Sequence, residues 1–375
     1  MKRQASSGAP RLGVDARVLD ERYHGIGRIT YELLDRLTRS RRFEITLFLS
    51  PHQRPGRFDI AAISARPGVR VVEFDAALTS ATQILRWPAA LRRAGVDIAV
   101  FPYHLGASVV GARRRFAIVH DCILEAERRF APNTRTRVLY ILLTAVVVRR
   151  TRVLTPSRAS ATALRRFYRV SVPDSRLLPW GVDSAFGAGA EPVATVNGRQ
   201  LPSSYYLHVG ARRPHKNVQQ LVRVLAGLPA EEKLVLVGST DDRWPDDVMD
   251  LARELRVADR IIEFRGVSEQ DLTGLYRQAR AFLYPSLVEG FGLPLLEAMA
   301  AGVPVIASDI PVFREVANGA ALLVPPAETD AWVQAIRELD DPAGRAALID
   351  SGRHRAAAAT WDRAAERLTS ILLED

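Results

Sequence analysis

Short, mostly apolar runs alternate with helix-like segments through the second half of the chain, and this alternation restricts the possible folds most. Such runs predict strands that are buried on both faces of a parallel sheet. Six of them occur, at Tyr205–Val209, Leu234–Val237, Ile261–Phe264, Ala281–Tyr284, Val303–Ala307 and Ala321–Val324. Between them, residues 218–225 carry apolar side chains at helical spacing after Asn217, a predicted N-cap. Strand–helix alternation of this kind predicts a doubly wound α/β domain.

The first half of the chain repeats the pattern less regularly. Strands are predicted at Leu12–Val14, Ile45–Leu49, Val69–Val72, Ile98–Phe101, Phe116–Val119 and Arg152–Leu154. Helices are predicted at Ile29–Leu37, Leu85–Ala94, Arg135–Arg149 and Ser157–Phe167.

These patterns predict two Rossmann-like domains that face each other across a cleft. The first covers residues 1–186 and the second residues 201–355, with a linker of small residues at 187–200. We expect a C-terminal helix, residues 356–375, to pack back toward the first domain. Ligands of such sheets bind at the carboxyl ends of the strands, so the cleft is the expected site.

Length and cysteine content agree with this organisation. The chain has 375 residues, more than a single core usually supports, and its one cysteine excludes a disulfide scaffold or a cysteine-rich zinc module. It contains no His-Glu-x-x-His and no Asp-x-Asp segment. We therefore expect neither a bound metal nor a cofactor.

The most informative motif is the segment PSLVEGFGLPLLEAMAAG, residues 285–302, which follows a predicted strand and opens a predicted helix. Amides at a helix start bind anions, and glycines let the backbone approach a ligand closely. Glu289 and Glu297 flank this site, which suggests a ligand with both phosphate and hydroxyl groups. The alternative is an ordinary strand–helix turn with an acid serving the helix dipole.

A basic loop, ARRPHKNV at residues 211–218, follows the first strand of the second domain. Fixed cations in such a loop can stabilise negative charge on a phosphate-bearing ligand without a metal. Lys216 is one of only three lysines in an arginine-rich chain. The alternative is a solvated basic surface loop.

Several of these segments together resemble the retaining family 4 glycosyltransferases, also called glycosyl transferases group 1. The donor-site signature of that family is similar to Glu289–x7–Glu297 within EGFGLPLLEAMAAGVPVIAS. Further similar segments are ARRPHKNV, FRGVS at residues 264–268, LLPWGVD at residues 177–183 and TPS at residues 155–157. The resemblance implies the GT-B fold and transfer of a hexose from a nucleoside-diphosphate sugar to an acceptor hydroxyl, with retention and without a metal.

The resemblance also implies roles for individual residues in binding the donor. Glu289 would contact the donor sugar as a catalytic group, and Glu297 would bind the ribose. Lys216 would neutralise the diphosphate together with an arginine, for which Arg212 is the candidate. The remaining donor-binding candidates are Gly290, Phe291, Gly292, Leu293, Val267 and Gly27.

In the first half, the family resemblance points to two segments. HGIGR, residues 24–28, is expected to be a glycine loop at a helix start, with Arg28 near the acceptor or a phosphate; an ordinary tight turn is the alternative. His120 ends a predicted strand and would lie beside the donor sugar as a catalytic group, and Asp121 would orient the acceptor. His104 is a further acceptor-pocket candidate. For both histidines a purely structural role is the alternative.

Charge is distributed unevenly along the chain. The formal net charge of +10 divides into +17 for residues 1–186 and −7 for residues 187–375. Without exposed aromatics between the arginines, an anionic acceptor or membrane surface is a better partner for the first domain than nucleic acid. The apolar run 138–148 between arginines is more typical of a core helix than of an interfacial one.

The expected location follows from the opening of the chain. The first ten residues are polar and lack the apolar region of a secretory signal, and the longest apolar run is too short to span a bilayer. We therefore expect a cytoplasmic protein, soluble or peripheral on the inner face of the membrane.

The motifs look most like those of bacterial mannosyltransferases of polysaccharide assembly that use GDP-mannose. UDP- and dTDP-sugars stay open as donors. Glycans, lipid-linked sugars and small molecules stay open as acceptors. Other functions that fit are a sugar-nucleotide epimerase or phosphorylase of similar fold and a non-catalytic glycosyltransferase-like binding protein.

Overall fold

The computed structural model describes residues 8–20, 24–54, 56, 58–187 and 193–374. The polar opening segment at residues 1–7 and the central part of the predicted linker, residues 188–192, lie outside the described residues.

A six-stranded parallel sheet forms the core of the first half. Its strands are β1 (Arg11–Asp15), β2 (Glu44–Leu49), β3 (Val69–Glu73), β4 (Ile98–Phe101), β5 (Arg114–Ile118) and β6 (Arg152–Leu154). The order across the sheet is β3-β2-β1-β4-β5-β6, so all six predicted strands are confirmed to within two residues at either end.

Six helices of the described residues accompany this sheet. They are α1 (His24–Ser40), α2 (Ile60–Ser64), α3 (Ala81–Arg93), α4 (Ile123–Ala126), α5 (Thr134–Arg150) and α6 (Arg158–Tyr168). Successive strands are added toward one edge of the sheet up to β3 and toward the other edge from β4 onward. Because the connections between parallel strands are right-handed, this change places α3 and α5 on the sheet face opposite α1.

The second half contains a sheet of the same topology. Between the two sheets, β7 (Thr195–Val196) and β8 (Arg199–Gln200) pair as a small hairpin within the predicted linker. The strands of the second sheet are β9 (Tyr206–Val209), β10 (Leu234–Val237), β11 (Ile261–Phe264), β12 (Ala281–Tyr284), β13 (Val305–Ser308) and β14 (Leu322–Val324). Their order is β11-β10-β9-β12-β13-β14. Two doubly wound sheets confirm the predicted fold class.

The described part of the second half forms eight helices. They are α7 (Val218–Ala226), α8 (Val248–Glu254), α9 (Glu269–Gln278), α10 (Leu293–Ala300), α11 (Pro311–Ala317), α12 (Thr329–Glu338), α13 (Pro342–Ala357) and α14 (Trp361–Glu374). Ser268 caps α9, and its side chain accepts from the Asp271 amide. Asn217 does not cap α7; its side chain donates to the carbonyls of Pro285 and Pro326 instead. Its left-handed backbone aims that amide away from the helix.

The last helix returns to the first half of the chain. Helix α14 packs against α1, and Arg36 of α1 pairs with Asp362 of α14. At Gly181 an added Cβ would lie 2.1 Å from the Trp361 amide nitrogen. Only glycine therefore lets the segment at residues 177–183 pass so close to α14. These contacts connect the two halves on the side of the molecule that carries α1 and α14.

Candidate active site

The site begins where the order of strands in the second sheet reverses. Strands β9 and β12 are neighbours in space although two other strands separate them in sequence. The loops after them therefore meet at the carboxyl edge of the sheet, where ligands of such sheets bind. One loop carries Lys216, and the other carries Glu289.

Lys216 and Glu289 form an ion pair at this edge. The Lys216 Nζ donates to Glu289 Oε1 at 2.6 Å and to the Tyr284 hydroxyl at 3.1 Å. The two charged side chains are only 14% and 9% exposed. Burial by itself would raise the pKa of Glu289, but Lys216 and the neighbouring His215 outweigh it and hold that pKa below its usual value. The site therefore holds a carboxylate and an ammonium group in a largely dry setting.

The loop after β12 continues into α10 through two glycines. Gly292 has a φ of +97°, and an added Cβ there would lie 2.8 Å from the Phe313 ring, so glycine is required. Helix α10 starts at Leu293. Pro294 has no amide hydrogen and the Leu295 amide donates to the Gly292 carbonyl, so the positive end of the helix dipole and the Leu293 amide are what make this helix start suitable for an anion.

Glu297, one turn into α10, is held from both halves of the chain. Arg28 Nη1 donates to Glu297 Oε1 at 2.7 Å, and the Tyr276 hydroxyl donates to Oε2 at 3.0 Å. The guanidinium of Arg28 also lies 5.3 Å from the ring centre of Phe186. The structure thus places Arg28 against the predicted ribose carboxylate.

The reason for this placement is local. Residues 24–28 were predicted to be a loop, but they form the first turns of α1, which starts at His24. An added Cβ at Gly27 would lie 2.9 Å from the Val18 carbonyl oxygen and 3.0 Å from the Phe58 ring. Gly27 therefore lets α1 approach the segment after β1, and Arg28 extends from the helix toward α10.

The loop that carries Glu289 also contacts the first half of the chain. Ser157 Oγ and Ser160 Oγ donate to the Gly290 carbonyl at 2.8 and 3.0 Å. An added Cβ at Gly290 would lie 2.0 Å from the His120 carbonyl oxygen and 2.9 Å from Asp121 Cβ. The absent side chain thus allows direct backbone contact between the two halves.

This contact brings His120 and Asp121 to the loop that carries Glu289. His120 Nε2 donates to the Pro102 carbonyl at 2.7 Å, and burial lowers the pKa of His120 to about 4. Since Nε2 carries the proton, Nδ1 of the neutral ring is an acceptor. Asp121 Oδ1 accepts from the Ile123 amide at 3.1 Å, and burial, reinforced by the charge of Glu289, raises the pKa of Asp121.

His104 lies deeper than a ligand contact would require. It is 2% exposed, and its Nε2 lies 3.0 Å from Thr144 Oγ1 on α5. Burial lowers the pKa of His104 to about 3, and Nδ1 has no hydrogen-bond partner. These contacts hold His104 in the interior, against α5.

Of the two adjacent arginines, Arg212 is the more deeply buried. Its guanidinium pairs with Asp246 at 2.7 Å and also with Glu263, and its side chain is only 9% exposed. Arg213 is 43% exposed, donates to Asp241 at 3.0 Å, and contributes a charge that lowers the pKa of Asp121. Arg212 in turn contributes a charge that lowers the pKa of His208, as Lys216 does, so the charges of both arginines reach groups around the Lys216–Glu289 pair. The sequence did not distinguish the two because they are consecutive.

Two further predicted residues, Val267 and Phe291, and the unpredicted Trp180 are at least partly buried. Val267 is partly buried against the core, and Phe291 is buried with its ring 6.5 Å from that of Trp180. Trp180 also lies 5.7 Å from the His120 ring. Sequence reasoning identified neither Trp180 as a support for His120 nor Ser160 as a donor to Gly290. Trp180 lies in the LLPWGVD segment, but no sequence signal pointed to its contact with His120 or to the bond from Ser160.

Two further observations concern the described residues as a whole. They contain no group of three or more His, Cys, Asp and Glu side chains placed to hold a metal ion. None of the helices in the described part of the chain is both long and apolar enough to cross a bilayer.

Comparison with known proteins finds similarity in both halves of the chain. Residues 23–186 match the family model described as Glycosyltransferase Family 4, and residues 194–355 match the one described as Glycosyl transferases group 1. The chain is 30% identical over 258 residues to O-antigen chain mannosyltransferase B of Escherichia coli, which covers 66% of this chain and 67% of the relative. It is 38% identical over 138 residues to O-antigen chain mannosyltransferase RfbU of Salmonella typhimurium, which covers 36% of this chain and 38% of the relative.

Solved structures match over almost the whole chain. Sucrose-phosphate synthase of Thermosynechococcus elongatus superposes with a TM-score of 0.75 at 21% identity, covering 98% of this chain and 99% of that one. WaaG, a glycosyltransferase involved in lipopolysaccharide biosynthesis, superposes with a TM-score of 0.70 at 16% identity, covering 97% and 100%. At these identities the likeness establishes the GT-B fold alone.

Proposed function

The chain belongs to the family 4 glycosyltransferases, and from that membership we propose that it is a retaining mannosyltransferase of polysaccharide assembly. The proposed donor is GDP-mannose, and the proposed acceptor is a hydroxyl group of a glycan or lipid-linked sugar. The names of the relatives, both O-antigen chain mannosyltransferases, support this choice of sugar. UDP- and dTDP-sugars are the alternatives.

The observation that carries the proposal is the Lys216–Glu289 pair beside the start of α10. A nucleoside diphosphate bound there would place its phosphates at the helix start and at Lys216 Nζ. Charge that develops on the departing diphosphate would be met by groups already fixed in a dry site, where their effect is larger than in water. Lys216 would exchange Glu289 for a phosphate oxygen when the donor binds.

Release of Glu289 from Lys216 would leave its carboxylate to accept hydrogen bonds from sugar hydroxyls. We assign Glu289 this positioning role and not that of a nucleophile, because the proposed attack on the face that the diphosphate leaves requires no covalent intermediate on the protein. His120, neutral with Nδ1 as an acceptor, would bind a further sugar hydroxyl from the opposite half.

Retention follows in this proposal from attack on the face that the diphosphate leaves. The acceptor hydroxyl would transfer its proton to a departing phosphate oxygen, so no protein base is required. Asp121, next to the donor loop, would orient the acceptor. Glu297 would bind the ribose while retaining or exchanging its bond to Arg28. No metal enters these steps, because Lys216, the start of α10 and Arg213 supply the positive charge.

The first experiment is a thermal-shift comparison of GDP, UDP, dTDP and ADP, since a ligand that binds the folded state raises its stability. GDP is expected to give the largest shift. Transfer is then measured with GDP-mannose, the anomeric configuration of the product is read by NMR, and the reaction is repeated with excess EDTA. An inverted product, or loss of turnover in EDTA that a divalent metal restores, would contradict the corresponding part of the proposal.

A matched pair of variants tests the site itself. Glu289→Gln removes the charge that pairs with Lys216, and we expect turnover to fall by about 100-fold or more, in line with the loss of one preorganised group. Glu338→Gln makes the same chemical change at an exposed position of α12 and serves as the control. Turnover by Glu289→Gln equal to that of the control would remove this site from the reaction.

A further inference from the structure

Helix α5 exposes a row of aliphatic side chains. Val138, Leu139, Leu142 and Val146 are 49%, 56%, 59% and 53% exposed. Their spacing of one, three and four residues puts them on one face of the helix. The opposite face, which includes Thr144, Val147 and Val148, is buried. We call the exposed row the α5 stripe. The apolar run was predicted to be a core helix, and only one of its faces fits that prediction.

Arginines bracket the α5 stripe at both ends. At 100° per residue, Arg135 before it and Arg149 and Arg150 after it fall within the same sector of about 120° as the four aliphatic side chains. All three arginines are exposed. Arg149 donates to the Tyr168 carbonyl at 3.1 Å, which places the basic end of α6 beside that of α5.

The surrounding sequence has charge of one sign. Residues 128–169 contain 11 arginines and no aspartate, glutamate or lysine. The excess of positive charge in the first half is therefore concentrated in the segment that includes α5 and α6. An apolar row within such a basic surface requires a partner that is both anionic and able to accept aliphatic side chains.

We propose that the α5 stripe and its flanking arginines are a docking surface for an anionic lipid bilayer. The helix lies in the plane of the interface, with its four aliphatic side chains at the boundary of the acyl chains and its arginines among the lipid phosphates. A second copy of this chain is a poorer occupant, because a two-fold contact through the stripe would set arginines against arginines.

The docked helix is directly connected to the cleft. Arg137 of α5 donates through Nε and Nη2 to the carbonyls of Leu124 and Glu125, in the short helix that follows Asp121. Docking of α5 therefore fixes the acceptor side of the cleft close to the membrane surface. This suits a lipid-linked acceptor, but the docking proposal does not depend on the proposed function, because vesicle binding is measured without sugar nucleotide or acceptor.

The test is co-sedimentation of the full chain with vesicles of phosphatidylcholine alone and with equal parts of phosphatidylcholine and phosphatidylglycerol. We expect binding to the anionic vesicles that weakens as salt is added, and little binding to phosphatidylcholine. The double variant Leu139→Ser/Leu142→Ser is expected to bind at least about tenfold less, because two large aliphatic side chains leave the bilayer. The control Val71→Ser/Leu373→Ser changes side chains that are 41% and 42% exposed elsewhere and should bind as the unaltered chain does.

A second pair of variants tests the charges. Arg135→Gln/Arg150→Gln is expected to lower anionic-vesicle binding about tenfold, whereas Arg223→Gln/Arg337→Gln, on exposed positions of the second half, leaves it unchanged. The arginine pair also decides the question if the leucine variant fails to fold, as judged by circular dichroism.

Three outcomes overturn the proposal. They are equal binding of the unaltered chain to both vesicle types, undiminished binding by both stripe variants, and dimerisation lost in the stripe variants without any vesicle binding. The last outcome would assign the stripe to a second copy of the chain.

Discussion

Replacing Gly290 with alanine adds one methyl group at the contact between the donor loop and the first half of the chain. The new Cβ would lie 2.0 Å from the His120 carbonyl oxygen and 2.9 Å from Asp121 Cβ. Gly290 is not among the glycines with positive φ, so its backbone conformation suits alanine and the collision alone determines the effect. Both colliding groups are close to the backbone and have no rotamer that would relieve the contact.

The size of the effect follows from these distances. Restoring a separation of at least 3.0 Å from the oxygen requires the two halves to move apart by about 1 Å. That displacement stretches the bonds from Ser157 and Ser160 to the Gly290 carbonyl, each of which contributes about 1 kcal/mol net. A misplacement of about 1 Å between reacting groups lowers rates about 100-fold. We therefore expect kcat/KM to fall by about two orders of magnitude.

The assay compares kcat/KM for sugar transfer with the thermal shift produced by the nucleoside diphosphate. The groups that we propose for nucleotide binding lie in the second half, so Gly290→Ala should keep the nucleotide-dependent shift while losing transfer. Gly8→Ala, where no atom lies within 4 Å of the added Cβ, is the steric control. Ser160→Ala removes one donor without a collision and should lower kcat/KM about fivefold. Transfer by Gly290→Ala within about twofold of the control would refute the inference that this contact positions the reacting groups.

Two further predictions concern charge. Arg213→Gln should lower kcat/KM with little change in Tm. Arg212→Gln should lower Tm, because it leaves two acids without their cation, and should reduce kcat/KM per folded molecule less. The opposite pattern would identify Arg212 as the cation that acts in the cleft. Buried histidines should make the fold sensitive to acid, because each has a native pKa below its ordinary value and the unfolded chain therefore binds more protons from about pH 6.5 downward. The contribution of these histidines to the free energy of unfolding is present above pH 6.5. The free energy of unfolding should fall by about 3 kcal/mol per pH unit toward pH 5. Glu125 opposes part of this loss, because burial raises its pKa to about 7. Urea midpoints between pH 7.5 and 5.5 measure this, and an unchanged midpoint would contradict it. The histidines concerned are His104, His120, His208 and His215.

The elements of the fold were predictable because each depends mainly on neighbouring residues. All twelve strands of the two sheets lie where apolar runs predict them, since a strand covered on both faces needs a continuous apolar segment. The start of α1 was not predicted, because two glycines and a histidine are typical of a loop. Its helical conformation depends on contact between Gly27 and the Val18 carbonyl, which sequence spacing does not reveal.

The candidate site divides in the same way. Lys216 and Glu289 were predictable as a pair because each follows a strand, and the doubly wound order brings those two strands together. Arg212 and Arg213 could not be ranked, because a loop has no fixed periodicity to say which side chain faces the cleft. The exposed face of α5 was also beyond sequence reasoning, since a helix that is apolar on all sides reads as core.

The amino-acid sequence by itself therefore determined the two doubly wound sheets, the family and the loops that carry the site, because these depend on local patterns and on short motifs. Only the tertiary structure decided which groups meet across the cleft. The bond from Arg28 to Glu297 joins residues 269 positions apart, and the contact of Gly290 with His120 joins opposite halves of the chain. The physical reason is that such partners are selected by how the two halves pack, and packing depends on all the side chains of the interface together.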